Sequence, residues 1–250
     1  MTTKSFRKEI ASLADAKGRR KMGAFVAEGT KCVLETLGAF TLRHLIATPS
    51  WLAEHPYTEN VIEANRGEIG EMSSMALAPD VIAVYEIPAP FEFDPKSIEN
   101  QLVLGLDRIQ DPGNLGTMIR LADWMGVETV LASCDCVDCF NPKAVQATMG
   151  ALARVHIVYV DLAEALARLP QSMPIYGTFL NGENIYRATL SANGVVLMGN
   201  EGRGISEEVA RMVTRRLLIP SFPPERPTSE SLNVATAASI VLSQFRSRQF

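Results

Sequence analysis

The sequence has 250 residues, of which 47% are hydrophobic and 21% are charged, and its formal net charge is −4. This composition is that of an ordinary folded protein and excludes a disordered or low-complexity chain. No apolar run reaches the roughly 20 residues of a membrane span, and the polar start MTTKSFRKEI lacks a signal-peptide core. We therefore expect a cytoplasmic protein without membrane contact, built as one large domain or two small ones.

The charge is distributed unevenly along the chain. The first 31 residues hold eight basic and three acidic side chains, a local charge of +5 that leaves −9 for the rest. Exposed charges act over about 8 to 10 Å at physiological salt, so a basic patch on an acidic body can still contact phosphates. A solvated basic helix explains the same charges equally well. The candidate phosphate contacts in this stretch are Lys17, Arg19, Arg20 and Lys21.

The first 90 residues predict a small α/β unit. KSFRKEIASLA has the pattern of a short helix, which AKGRRKMG is expected to break at Gly18 and Gly23. AFVAEG, LRHLIATPS and VIAVYEI are strand-like, whereas TKCVLETLG has a helical pattern that ends at Gly38. The prolines of IPAPFEFDPKS then predict a stiff linker at residues 91–98.

After the linker, apolar strand patterns alternate with helical ones. The strands are QLVLGLD, TVLASC, VHIVYV, MPIYGTFL, GVVLMGN and RRLLIPS. Such alternation indicates an α/β fold with a parallel sheet covered by helices on both faces. The last helix carries an apolar stripe of Val234, Ala237, Ala238, Val241, Leu242 and Phe245. We predict a domain at residues 1–90, a linker at 91–98 and a larger domain at 99–250.

Ligands of such sheets bind outside the carboxyl ends of the strands, and the first unusual loop there is DPGNLGTMIR. Pro112 and Gly113 make the turn, and Asn114 is a candidate helix cap. Arg120 lies off the expected apolar stripe of Met118, Leu121, Ala122 and Met125. An exposed helix arginine is usually only a solvated charge, so Arg120 alone does not indicate a function.

Two further loops follow strands. In LMGNEGRGIS a buried strand runs into a glycine-rich turn, and Ser206 is a candidate cap of the next helix. GNEGRG is not G-x-G-x-x-G, and no acidic residue lies about 20 positions later at the end of a second strand. In IPSFPPERPTSESLNVATAAS, four prolines hold the chain extended before Ser231, Leu232 and Asn233 start the last helix. A rigid loop and a packed helix would explain each stretch by itself.

Three of the four cysteines, Cys134, Cys136 and Cys139, lie in SCDCVDCF, and the fourth is Cys32. C-x-C-x-x-C could bind a metal ion, but no second Cys or His cluster completes a tetrahedral set. We expect reduced thiols and no metal site.

Taken together, DPGNLGTMIR, LMGNEGRGIS and IPSFPPERPTSESLNVATAAS resemble the three ordered motifs of the SpoU (TrmH-like) branch of the SPOUT RNA 2′-O-ribose methyltransferases. The resemblance covers residues 101–250, and KGRRKMGAFVAEGTKCVLETL is more weakly similar to the small substrate-binding domain of that family. It implies a parallel-sheet SPOUT domain with a C-terminal trefoil knot, preceded by an L30e-like α/β domain that binds RNA. It also implies a homodimer, joined partly through the first and last helices of the catalytic domain.

The implied reaction is transfer of a methyl group from S-adenosylmethionine to a 2′-hydroxyl of RNA, ribosomal RNA in preference to transfer RNA. By similarity, Arg120 is the catalytic arginine beside Asn114, and Glu201 matches the acid of the second motif. Ser231 and Asn233 match polar residues of the third motif. Because guanidinium is not deprotonated in proteins, we interpret Arg120 as a fork for the substrate phosphate, with the phosphate or a water accepting the proton.

In the same comparison, Glu201 orients either Arg120 or the hydroxyl. The implied cofactor contacts come mainly from backbone, at Thr178, Gly199, Ile219 and Leu232. The segment between Pro220 and Ser231 is longer than the usual spacer. Two other hypotheses stay open, a non-catalytic RNA-binding relative and a nucleotide-dependent oxidoreductase, although the dinucleotide fingerprint is absent.

Overall fold

The computed structural model describes residues 2–223 and 231–247. Most of the long loop predicted between Pro220 and Ser231 lies outside these residues. Among the described residues, no helix combines the length and the apolar character that crossing a bilayer requires.

Helices and strands alternate along the described chain. The helices are α1 Lys4–Ala11, α2 Ala16–Met22, α3 Thr30–Thr36, α4 Pro49–Glu54, α5 Arg66–Met72, α6 Pro112–Trp124, α7 Pro142–Thr148, α8 Leu162–Ala167, α9 Glu207–Met212 and α10 Val234–Arg246. The strands are β1 Ala24–Glu28, β2 Leu42–Ala47, β3 Val61–Glu63, β4 Val81–Glu86, β5 Leu102–Leu106, β6 Thr129–Ser133, β7 His156–Val160, β8 Ile175–Asn184, β9 Gly194–Met198 and β10 Arg215–Leu218. Short 3₁₀ turns occur at Ser12–Ala14, Pro95–Ile98 and Ala151–Ala153.

Contacts divide the chain into two units. The first comprises residues up to Ala89 together with Asp138–Ala153, and the second comprises Pro90–Val137 and the residues from Arg154 onward. This grouping differs from the predicted boundaries in two places. The segment around α7 packs in the first unit instead of the second, and the predicted linker 91–98 packs in the second unit.

The first unit contains a four-stranded mixed sheet in the order β1-β4-β2-β3. Only β2 and β3 are parallel. Helices α1 and α5 cover one face, where Ile10, Ile69 and Met72 are buried with apolar side chains of the strands. Phe25 and Tyr85 pack with Phe40 and Phe140, and the ring centroids of Phe25 and Phe140 are 4.6 Å apart. Phe140 thereby anchors the segment Asp138–Ala153, which we call the inserted segment, to the rest of the first unit.

The expected break at Gly18 is wrong, because α2 continues through this residue and ends at Gly23. A Cβ atom at position 18 would lie 1.9 Å from the carbonyl oxygen of Ser12. Glycine is therefore needed here because α2 approaches the preceding turn closely, and not because the helix stops. Gly23 has a φ of 57°, as expected for a glycine that terminates a helix.

The second unit contains a six-stranded sheet in the order β10-β8-β9-β5-β6-β7, and every neighbouring pair is parallel. The prediction of a parallel α/β sheet is confirmed. Leu162 and Leu166 of α8 and Val209 of α9 pack in one cluster with Ile175 of β8. Side chains alternate between the faces of a strand, so the next residue, Tyr176, points to the opposite face, where it contacts Phe245 of α10.

The buried faces of the helices differ slightly from the predicted stripes. In α10, Ala235 is buried and Ala237 only half-buried, while the other predicted positions are buried. In α6, Leu121 and Met125 are half-buried, and the buried side is formed by Leu115, Gly116, Met118, Ile119 and Ala122. The contact of α10 with α6 accounts for the wider buried face of α6.

Arg19 is not available to a phosphate, which corrects the sequence-based prediction. Its side chain is 2% exposed, and its guanidinium forms an ion pair with Asp138 at 2.8 Å. The same guanidinium donates hydrogen bonds of 3.0 Å to the carbonyl oxygens of Leu13 and Ala14. Arg19 is thus a structural cation that holds the inserted segment in the first unit.

We expect Asp138→Ala to lower the free energy of unfolding by about 1 to 3 kcal/mol, because a buried guanidinium loses its charged acceptor. Urea denaturation measures this change. The control is Asp80→Ala. The partner of Asp80, Arg66, is 67% exposed, so the free energy of unfolding should fall by at most about 1 kcal/mol. Equal losses for the two variants would contradict the role given to Arg19.

Candidate functional site

The predicted site residues of the second unit lie at one edge of its sheet. β8, β9 and β5 are neighbouring parallel strands, and β10 lies beyond β8, so their carboxyl ends meet at the same edge. β8 pairs with β9 as far as Gly177, and its residues 178–182 bulge out before it pairs with β10 again. This edge is where ligands bind in sheets of this type.

Three polar side chains from the three motifs form one hydrogen-bonded cluster at this edge. Oε1 of Glu201 accepts 2.7 Å hydrogen bonds from Nδ2 of Asn114 and from Nδ2 of Asn233. Asn233 Nδ2 also donates to Asn114 Oδ1 at 3.0 Å, and the backbone N–H of Val234 lies 3.4 Å from Glu201 Oε1. We call Asn114, Glu201 and Asn233 the polar cluster. Oε2 of Glu201 has no hydrogen bond with any residue in the described ranges.

The helix caps explain why both asparagine side chains can join the cluster. The expectation that Asn114 caps α6 is wrong, since Asp111 is the cap and its carboxylate accepts the Asn114 N–H at 2.8 Å. Asn233 does cap α10, but it uses only Oδ1, which accepts from the N–H groups of Ala235 and Thr236. Its Nδ2 therefore remains free to donate to Glu201.

Glu201 lies in a tight loop, residues 199–206, which we call the Glu201 loop. Oδ1 of Asn200 accepts from the N–H groups of Gly202 and Arg203 at 3.0 and 3.2 Å. A Cβ atom at Gly199 would lie 2.3 Å from backbone atoms of Gly204 and Ile205. Ser206 stands at the cap position of α9, but its side chain makes no capping hydrogen bond. Within the loop, the turn is thus shaped by backbone groups and by the Asn200 amide.

Sequence reasoning missed Asp107 and Arg108, which follow β5 directly. Asp107 is 2% exposed, and its Oδ2 accepts the Ser206 N–H at 2.5 Å. Asn200 Nδ2 donates to the Arg108 carbonyl oxygen at 2.9 Å. Two charged residues directly after a fully apolar strand were the available signal, since buried charges need partners.

Two predicted catalytic residues do not contact the polar cluster. Arg120 is exposed on α6, six residues after Asn114 and so about 9 Å further along the helix axis. It forms no hydrogen bond or ion pair with any part of the chain that the structure describes. Ser231 is exposed two residues before Asn233, and its hydroxyl likewise makes no hydrogen bond to a described residue.

The four predicted cofactor positions lie at or near adjacent strand ends. Thr178 starts the bulge of β8, and its hydroxyl donates to the Leu197 carbonyl oxygen at 3.3 Å. Gly199 follows β9, Ile219 follows β10, and Leu232 precedes the cap of α10. Exposed apolar side chains occur on the same segments, with Leu180 79% and Leu232 46% exposed. Tight backbone turns with apolar side chains suit an adenosyl group better than a polyphosphate.

The remaining basic candidates belong to the first unit. Lys17, Arg20 and Lys21 are exposed on α2. They remain candidate RNA contacts after the correction of Arg19.

None of the four cysteines forms a disulfide, and Cys134 is exposed whereas the other three are buried. Burial raises the pKa of the Cys32 thiol to about 11 and also raises the pKa of Cys136, so both are neutral near pH 7. Cys136 Sγ lies 3.3 Å from the Leu106 carbonyl oxygen and accepts the N–H of Ile109 at 3.2 Å. Across residues 2–223 and 231–247, no group of three or more His, Cys, Asp or Glu side chains could hold a metal ion.

A parallel α/β sheet with a polar cluster and glycine-rich turns at its carboxyl edge defines the second unit as a ligand-binding domain of the kind found in enzymes. The model of the SpoU rRNA Methylase family matches residues 101–243, and that of the MRM3-like substrate binding domain matches residues 6–83. The chain belongs to the SpoU rRNA methylase family.

Similar proteins span nearly the whole chain. A protein of the TrmH family of RNA methyltransferases from Porphyromonas gingivalis is 37% identical, with a TM-score of 0.87 and coverage of 99% of both chains. The AdoMet-bound rRNA methyltransferase from Sinorhizobium meliloti is 27% identical, with a TM-score of 0.85 over 100% of this chain and 98% of that one. The 23S rRNA (guanosine(2553)-2′-O)-methyltransferase RlmP of Bacillus subtilis is 29% identical over 96% of this chain and 95% of its own.

Proposed function

We propose that the protein transfers a methyl group from S-adenosylmethionine to a ribose 2′-hydroxyl of ribosomal RNA. The observation that carries this proposal is the polar cluster, to which each motif contributes one residue. The amides of Asn114 and Asn233 both donate to the same carboxylate oxygen of Glu201. The names of the relatives support the substrate class and the cofactor. We also propose a cytoplasmic location for the protein, as its sequence leads us to expect.

The reaction needs a 2′-oxygen in line with the methyl group and a way to favour loss of its proton. Holding the two reacting atoms at about 3 to 3.5 Å can supply roughly 7 to 11 kcal/mol of the barrier. Oε1 of Glu201 is occupied by the two asparagine amides, whereas Oε2 has no hydrogen bond with the described residues. We therefore favour Glu201 as the acceptor that orients the hydroxyl, in preference to a partner of Arg120.

Arg120 would bind the substrate phosphate through its guanidinium fork and stabilise the developing alkoxide. The proton that the hydroxyl shares with Glu201 then passes on to the phosphate or to a water, because guanidinium stays protonated in proteins. Ser231 is exposed and lies two residues before Asn233 of the polar cluster, and it would contact the same nucleotide.

S-adenosylmethionine supplies an activated methyl group on a sulfonium, so no metal ion is required for the transfer. Its binding residues would be the backbone at Gly199, Ile219 and Leu232, together with Thr178. The exposed side chains of Leu180 and Leu232 give the apolar surface that an adenine ring needs. These backbone and apolar contacts carry no charge, unlike a dinucleotide site, in which an acidic residue binds the ribose. We also infer, from the family resemblance, a trefoil knot in the C-terminal segment.

We propose that the enzyme is a homodimer joined partly through α6. Thr117, Arg120 and Trp124 are exposed at a helical spacing on one face of α6, and Trp124 is 85% exposed. A large exposed aromatic side chain on a structured helix is typical of an interface. Arg120 lies in the middle of this face, so in a symmetric dimer both copies would contribute to each site.

We assign RNA binding to the first unit, for which we propose an L30e-like fold. Lys17, Arg20 and Lys21 present three cations on the short helix α2. Phosphate contacts of this kind give affinity without reading sequence. Selection of the nucleotide would then depend on the shape of the folded RNA.

The first test is methyl transfer from labelled S-adenosylmethionine to total RNA from a strain that lacks the protein. We expect Arg120→Ala to lower the rate by about 100- to 1000-fold, because one charge-stabilising group is lost. Calorimetry should give a cofactor affinity close to that of the wild type. Arg168→Ala, which removes another exposed arginine of the same unit, should transfer normally. A wild-type rate for Arg120→Ala would contradict the mechanism, and a chain that binds no cofactor would favour a non-catalytic relative.

For the dimer, we expect Trp124→Glu to convert the protein to a monomer in light scattering and to abolish methyl transfer. The cause is the loss of the indole contact together with an unpaired charge buried in its place. Tyr186→Glu changes another aromatic residue that is 51% exposed and should leave the dimer intact. A wild-type protein that is already monomeric would refute the proposed assembly.

For RNA binding, we expect the combined substitution of Lys17, Arg20 and Lys21 by alanine to weaken affinity. The slope of log affinity against log salt should become shallower by about 2. The reason is that fewer phosphates are neutralised, so binding releases fewer counterions. Arg66→Ala, which removes an exposed arginine paired with Asp80, should leave the slope unchanged. A triple variant with the wild-type slope would remove α2 from the RNA-binding surface.

A further inference from the structure

Two loops leave neighbouring strand ends and are tied together by hydrogen bonds. Leu106 of β5 is in register with Met198 of β9, and the Asp107 N–H donates to the Met198 carbonyl oxygen at 2.9 Å. Beyond this point, Asp107 and Arg108 continue one chain, and the Glu201 loop continues the other. The position of Glu201 therefore depends on how residues 107 and 108 hold that loop.

The Glu201 loop is held at both ends. At its beginning, Asn200 Nδ2 donates to the Arg108 carbonyl oxygen at 2.9 Å. At its end, the Ser206 N–H donates to Asp107 Oδ2 at 2.5 Å, and the Arg108 guanidinium donates to the Gly204 carbonyl oxygen at 3.4 Å. Glu201 lies between these hydrogen bonds, all three of which come from Asp107 and Arg108.

Arg108 has an unusual backbone conformation that makes this arrangement possible. Its φ is 58°, in the left-handed region that residues other than glycine seldom adopt. In this conformation its N–H donates to Ser133 Oγ at 2.9 Å, while its carbonyl oxygen accepts from Asn200. Glycine would adopt the same backbone more readily, so the guanidinium is what arginine adds at this position.

The guanidinium also compensates the buried carboxylate of Asp107. Arg108 Nε is buried 3.6 Å from Asp107 Oδ1, and no atom in the described part of the chain accepts a hydrogen bond from it. Asp107 is only 2% exposed, so it depends on the Ser206 N–H and on this positive charge. Loss of the guanidinium would leave Asp107 poorly compensated and would loosen Ser206 as well as Gly204.

We propose that Arg108 is a positioning residue that acts through Asp107 and Gly204 to hold the Glu201 loop in the geometry that the polar cluster requires. In this role it acts only through these two partners and need not contact the nucleotide or the cofactor. This inference rests on the proposed methyl transfer for its effect on rate, but the attachment of the loop is independent of that activity.

The kinetic test is a double-mutant cycle with the full-length protein. Arg108→Ala should lower kcat by about 10- to 100-fold, as expected for a displacement of about 1 Å at a reacting group, with KM for RNA nearly unchanged. In a Glu201→Gln background the same substitution should change kcat by less than about twofold, because residues that act through one group are non-additive. Arg108→Lys keeps the charge and should recover part of the rate. Arg211→Ala, an exposed arginine of α9 paired with Glu207, is the matched control.

A second measurement needs no methyl transfer. Amide hydrogen exchange of residues 199–206 should be about tenfold faster in Arg108→Ala than in the wild type or in Arg211→Ala, since one or two hydrogen bonds are lost. Unchanged exchange, multiplicative effects in the cycle, or a rise in KM alone would each overturn the proposal. If exchange is faster in Arg108→Ala but the wild-type protein transfers no methyl group, the positioning role is supported and the proposed function is refuted.

Discussion

Two amide groups converge on one carboxylate oxygen of Glu201, and the arrangement of the three motifs depends on this contact. Asn114 is separated from Glu201 by 87 residues and Asn233 by 32, so only the tertiary fold can bring them together. The parallel sheet does this, because β5 and β9 are neighbours whose carboxyl ends lie side by side. Since the cluster is exposed to solvent, its hydrogen bonds add little to stability, and their main effect is to fix geometry.

The chemistry of the asparagine side chain explains why these positions suit the amide. At position 233 the side chain must accept hydrogen bonds from the first turn of α10 and also donate to both Glu201 and Asn114. Serine can cap a helix but has one donor, and aspartate would place a second negative charge against Glu201. An amide meets both demands in one neutral group. Asn114 is freed for the same role because Asp111 caps its helix.

Much of the second unit was predictable because its signals are local. Apolar strands alternating with helices predict a parallel sheet, and the resemblance of the three motifs to those of a known family implies that Asn114, Glu201 and Asn233 belong to one site. The same patterns could not predict the attachment of Asp107 to Ser206, because it joins residues 99 positions apart. They also could not predict that Gly18 serves a close approach of two backbones, since a glycine in a helix and a glycine that ends one look alike in sequence.

The run of basic residues in α2 shows how a charge count can overestimate a binding surface. At about 100° per residue, Lys17, Arg20 and Lys21 fall within one third of the helix circumference, and Arg19 lies about 200° from Lys17. A helix packed on its own unit turns one side inward, so one of these four cations had to be buried or paired, and that cation is Arg19. The spacing alone would have separated Arg19 from the other three. The proposed RNA contact is therefore one exposed face of a short helix, and the fourth cation instead stabilises the unit that presents this face.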